Sequence, residues 1–117
     1  MSEPSSNNVN SYGICPFSTT QRVLNGKWVL IILYHISTGS KRFNQLQRLI
    51  PDISQSVLSN HLKQLEKDKL VERTVYAEVP PRVEYGLTEI GESFRKVLDE
   101  VETWGASYLA LLEREQQ

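Results

Sequence analysis

The sequence predicts a mainly α-helical domain carrying one small β-hairpin, and three features of the chain support that expectation. Apolar residues recur at helical spacing in two short neighbouring segments, 43–50 and 54–65. The period switches to two between Val71 and Leu87, and a helical stripe then runs from Thr88 almost to the end. At 117 residues there is room for one domain. A domain this small buries only about two-thirds of its unfolded surface, so a core shared with a second copy would help it. Apolar residues make up 39% and charged residues 23%, the balance of a folded globular protein.

Residues 1–13 are rich in Ser and Asn with almost nothing apolar to bury, and are expected to be disordered, leaving 14–117 as the domain. They lack the basic start, apolar centre and cleavage site of a secretory signal, and the apolar run Trp28–Tyr34 is far too short to cross a membrane. A cytoplasmic protein is expected. A short helix should follow Pro16, with Phe17, Val23 and Leu24 as its apolar positions and Asn25-Gly26 as its end. The run WVLIILY reads equally well as strand or helix. Its place in a twelve-residue span between Gly26 and Gly39 favours a helix buried on most sides.

Phe43, Leu46, Leu49 and Ile50 mark the next helix, which Pro51 ends. Ser54 is placed to cap another, about 54–68, with Val57, Leu58, Leu62 and Leu65 as its apolar positions. The hairpin, about 70–87, carries Pro80 and Pro81 at its tip, where a missing amide donor is harmless. From about 88 to 115 a helix some 40 Å long carries the stripe Ile90, Phe94, Val97, Leu98, Val101, Trp104, Tyr108, Leu111 and Leu112. One small domain cannot cover such a stripe. Phe94, Leu98, Val101, Trp104, Tyr108 and Leu112 are therefore expected to meet a second copy, through its matching helix or its short first helix.

Helix, helix, helix, hairpin is the order of a winged helix-turn-helix, whose third helix enters the major groove of DNA. The charge distribution fits. Residues 22–73 hold nine basic side chains against four acidic, whereas 74–117 hold four against nine. With Leu58, Leu62 and Leu65 facing the core, steps of about 100° put Ser56, Asn60 and Lys63 opposite, with Gln55 and Ser59 at the edges. Gln and Asn pair with adenine, Ser reaches several base edges and Lys meets guanine or phosphate. A solvated helix face is the plain alternative. Lys41, Arg42 and Asn44 at the start of the preceding helix, and Lys27, are candidate phosphate contacts, and Ser54, at the cap of the helix about 54–68, joins the candidate DNA-binding residues. Lys27 equally marks the edge of the core beside Trp28. Arg82 suits the minor groove beside the hairpin, or else an ion pair with Glu84 or Glu78.

The residue pattern adds to this. Cys15-Pro16, Gly26-Lys27-Trp28, Lys41-Arg42-Phe43-Asn44-Gln45-Leu46, Ile53-Ser54-Gln55 and Leu58-Ser59 recur with Leu62, Leu65-Glu66 and Leu70-Val71. The hairpin Tyr76-Ala77-Glu78-Val79-Pro80-Pro81-Arg82-Val83-Glu84-Tyr85 precedes Leu87-Thr88-Glu89-Ile90-Gly91. On these residues the chain closely resembles the HxlR-type transcription regulators from Cys15 to about Tyr108. The resemblance implies a homodimer joined by terminal helices, with two recognition helices in successive major grooves of an inverted-repeat operator. Lys69 departs from the glycine usual there, so it takes a left-handed conformation or the turn differs. Cys15 lacks a companion cysteine. Resemblance to electrophile-sensing relatives makes it the candidate redox switch, against the reading of an inert small apolar group.

His35 and His61 make no zinc pattern with Cys15, and no phosphate loop or nucleophile elbow occurs, so neither metal, cofactor nor enzyme is expected. A small-molecule or electrophile effector remains open, with Trp28, Trp104 and Tyr108 either lining a pocket for it at the dimer interface or serving as plain core. The rival readings are a ligand-responsive regulator of the multiple-antibiotic-resistance (MarR) type and a winged-helix module that binds protein and leaves DNA alone.

Overall fold

The computed structural model describes residues 15–116; the segment 1–13, read above as disordered, lies outside the described residues. Pro16 opens helix α1 (Pro16–Val23), where its missing amide costs nothing and its fixed φ suits the first turn. Two turns leave little to bury. Val23 and Leu24, at the C-terminal end, pack on the core, while Phe17 points away and is 85% exposed. The expected helix after Pro16 is present, and of its three apolar positions Val23 and Leu24 serve the core.

The ambiguous run WVLIILY is helix α2 (Val29–Ser37). Val29, Ile32, Leu33 and Ile36 are buried at three- and four-residue steps, but Ile31 and Tyr34 are nearly half exposed. The helix is thus covered on one side, not on most sides as its composition predicted. Helix α3 (Phe43–Leu49) stops before Pro51, and the Gln47 Nε2 donates to the Ile53 carbonyl at 2.7 Å, bracing the turn. Helix α4 (Gln55–Lys67) begins where Ser54 Oγ accepts from the Val57 amide at 3.2 Å. Leu46, Leu58, Leu62 and Leu65, with Ile50 and Ile53, lock the pair onto α2 in a single core.

Helix α4 ends in a Schellman turn. The Leu70 amide donates to Leu65 O at 3.0 Å and the Lys69 amide to Glu66 O at 2.9 Å, which requires a left-handed residue at 69. Lys69 takes it, with φ 70°. A side chain there costs roughly 1–2 kcal/mol, against which glycine would lose about 0.4–1 kcal/mol of unfolded-state entropy. Lys69→Gly is therefore expected to stabilise the fold by about 0.5–1 kcal/mol, measured by urea unfolding. No gain would mean that the strain is relieved elsewhere.

Strands β1 (Val71–Tyr76) and β2 (Arg82–Leu87) pair antiparallel from Val71↔Leu87 to Tyr76↔Arg82. Lys41 bridges Tyr85 through two backbone hydrogen bonds of 2.9 and 2.8 Å, fixing the hairpin to the loop before α3. Only Val71 of β1 is buried, so the expected inward and outward alternation is absent from this strand. The hairpin projects into solvent as a wing. Thr88 then caps helix α5 (Glu89–Ser93), accepting from the Gly91 amide at 3.1 Å and donating to Lys69 O at 2.6 Å.

The single long helix expected from 88 to 115 is interrupted at Phe94, after which α6 (Arg95–Glu115) runs for about 32 Å. A tertiary contact coincides with the break. Gly91 is pressed against the Leu70 carbonyl, where a Cβ would collide with backbone, while Phe94 turns onto the core. Leu98 is also buried by its own chain, so these two expected interface residues serve the subunit's own core.

Candidate nucleic-acid interface

With Leu58, Leu62 and Leu65 buried behind it, α4 turns Ser56, Asn60 and Lys63 to solvent. Lys67 continues that row at the same alternation of four and three residues, and was missed above although the helical spacing contains it. Gln55 is exposed; Ser59 is half-buried where α4 faces Phe43. Ser54 is exposed but its hydroxyl is engaged as the cap, with Ser56 Oγ 3.5 Å away. No acidic side chain belongs to the outward row Ser56, Asn60, Lys63 and Lys67.

The flanks of α4 differ. On one side Arg42 stands at the N-terminal boundary of α3, its amide donating to Gln45 Oε1 at 2.8 Å and its side chain exposed, and Asn44 is exposed one residue into the helix. Lys41 does not sit at that helix start as expected. Its backbone belongs to the wing bridge, and its Nζ folds back to Thr38 Oγ1 at 3.0 Å and the Gly39 carbonyl at 2.8 Å. Burial, and then the Lys41 charge, push His35 below the usual imidazole range, so neutral His35 adds no cation here at pH 7. On the other side, Asn60, His61 and Gln64 border a polar cleft of about 300 Å³ with Arg22 and Asn25. Gly26 lies so close that a Cβ would stand 2.6 Å from His61 Cε1.

Lys27 is exposed, with Nζ 4.8 Å from the centroid of the Trp28 ring. Arg82 sits between two carboxylates, 3.1 Å from Glu78 and 3.3 Å from Glu84, and lies over the Tyr76 ring at 3.9 Å. Both ion-pair partners weighed from the sequence are therefore engaged. The guanidinium braces the wing, and any DNA contact must compete with these partners.

Cys15 occupies the N-cap of α1 and is half-buried. The amide and hydroxyl of Ser18, and then the Phe17 amide, in the first turn of α1, hold its thiol below the ordinary thiol range. On α6, Trp104 and Tyr108 stack at 5.2 Å with rings 9° from parallel, and are 67% and 47% exposed. Val101, Leu109 and Leu112 extend this uncovered apolar surface. Among the described residues no group of His, Cys, Asp and Glu is arranged to hold a metal ion, and no helix is long and apolar enough to cross a membrane.

A profile of HxlR-like helix-turn-helix proteins matches residues 23–113. The chain belongs to this family. Among HxlR-like relatives, the Bacillus subtilis (strain 168) protein described as the uncharacterized HTH-type transcriptional regulator YdeP is 45% identical over 94 residues, covering 80% of this chain and 73% of its own. The solved structure of the redox regulator HypR in its reduced form superposes with a TM-score of 0.80 at 42% identity, covering 86% of this chain and 99% of that one. Diamide-treated YodB from B. subtilis gives 0.69 at 35% identity, covering 81% and 95%. This HxlR-like chain is thus a winged helix-turn-helix protein whose relatives are transcriptional regulators, not enzymes.

Proposed function

We propose that the protein is a cytoplasmic, sequence-specific DNA-binding transcription regulator, a repressor or autoregulator that grips an inverted-repeat operator as a homodimer. The observation that carries this reading is the outward row Ser56, Asn60, Lys63 and Lys67 on a helix whose opposite side is fully buried. Such a face offers donors and acceptors to base edges while the protein scaffold fixes its direction. A module that binds protein and avoids DNA would have no use for a basic, acid-free face here. The apolar surface of α6 that its own chain leaves open supports the dimer.

Titration of duplex DNA over a range of salt tests the reading. Each neutralised phosphate contributes about 0.9 to the slope of log affinity against log salt. Arg42→Ala and Lys63→Ala are each expected to flatten that slope by roughly 1–2 in a dimer, while Lys41→Ala, with its ammonium already bonded to the end of α2, changes it less. Unaltered slopes for Arg42→Ala and Lys63→Ala would remove both from the interface.

Cys15 supplies regulation in this reading. The similar HypR and YodB structures are of a redox regulator and of a diamide-treated protein, and the Cys15 thiol is held toward its reactive thiolate. Two thiols, Cys15 and its mate in the second copy or a small thiol, yield one disulfide as two electrons and two protons pass to an oxidant such as diamide. Iodoacetamide labelling of Cys15 is expected to reach its plateau at a lower pH than a free thiol. A profile matching free cysteine would leave Cys15 an inert group.

A further inference from the structure

Helices α2 and α6 border a groove that none of the DNA-facing residues lines. Leu30, Ile31 and Tyr34 form one wall, Leu98, Val101 and Glu102 the other, and the space is about 350 Å³, at the small end of the roughly 300–1,000 Å³ typical of small-molecule sites. Trp28, Trp104 and Tyr108, the aromatics from which the sequence suggested a pocket, do not line it. In the single chain Ile31, Tyr34 and Val101 are 40–45% exposed, and Val101 lies on the α6 surface expected to meet a second copy.

Its chemistry is selective. Five of the six lining residues present aliphatic or aromatic surface, and Glu102 is the sole acid or base among them. The Glu102 carboxylate has no ion pair or hydrogen bond among the described residues. One helical turn away on either side stand Leu98, Asp99, Gly105 and Ala106, none of them cationic. An apolar trough with one unpaired carboxylate and a tyrosine ring complements a positive charge on an apolar body, since the ring face and the carboxylate both attract a cation. An organic anion would meet repulsion with no compensating donor beyond the Tyr34 hydroxyl.

We propose that this groove binds a monovalent organic cation with an apolar body, its charged head against Glu102 and Tyr34 and its body along Leu30, Ile31 and Val101. The site goes beyond the DNA-binding reading and does not depend on it. Benzyltrimethylammonium and phenylmethanesulfonate are probes of similar size and opposite charge. Titrated at constant ionic strength and followed by NMR, the cation is expected to shift resonances of Ile31, Tyr34 and Val101 and to bind at least tenfold more tightly than the anion. Glu102→Gln should shrink that gap to less than about threefold, and Tyr34→Leu should weaken the cation about two- to fivefold. Equal affinity for both probes, or a preference that survives Glu102→Gln, overturns the proposal. So does cation binding that appears only when Trp104→Glu with Tyr108→Glu has made the protein monomeric, because the second copy then fills the groove. Sedimentation of the unliganded protein separates the readings: a monomer that still binds the cation refutes the dimer and leaves the site standing.

Discussion

Asn60→Ala is expected to cut the preference for operator over random duplex by about 1–3 kcal/mol in each half-site, and by roughly 2–6 kcal/mol in a symmetric dimer that presents the residue twice. Asn60 stands at the middle of the outward row of α4, opposite Leu58, Leu62 and Leu65, and is solvent-exposed. Its amide presents a donor and an acceptor side by side, the paired geometry that matches adenine, which neither Ser56 nor the lysines of that row can offer. Alanine is the better helix former at an exposed site, so unfolding should be unchanged or slightly harder. The loss of preference then belongs to the contact itself. Competition between operator and random duplex measures it, and an equal loss on both would show that Asn60 contributes only to general affinity.

Leu62→Ala should remove about 2–5 kcal/mol of stability, a large share of the roughly 5–15 kcal/mol available to a domain of this kind. Leu62 is 1% exposed, on the buried side of the same helix, between Leu58 and Leu65. The cavity would open directly behind the reading face. At about 4–8 °C per kcal/mol, thermal unfolding should fall by roughly 8–40 °C, compared at equal protein concentration because a dimer links stability to concentration. A fall of less than 5 °C would mean that the core closes over the gap and that α4 is held by something else.

These two residues lie on a helix whose role was legible in the sequence, because its apolar and polar positions separate cleanly at helical spacing. The hairpin was equally legible from its change of period, whereas the turn at Lys69 was left between a left-handed lysine and a different turn, and its φ of 70° decides for the first. What escaped depends on distant contacts. WVLIILY is apolar on every side, so nothing local says that Ile31 and Tyr34 stay open. Lys41 reads as part of the helix start until Tyr85, far along the chain, claims its backbone, and its side chain rests on Gly39. The break at Phe94 accompanies the close fit of Gly91 to Leu70, which no periodicity records. Arg82 was readable both ways, and the Glu78 and Glu84 carboxylates decide its resting place.

Selection of bound duplexes from a random pool by the purified protein, at about 0.15 M salt, tests most directly whether two copies of α4 read DNA together. The enriched sequence should be an inverted repeat with half-sites centred about 34–36 Å apart, one helical turn, or a multiple of it. Asn60→Ala should lose that enrichment. A pool that remains random after repeated rounds, or one that converges on an unpaired half-site, would contradict it.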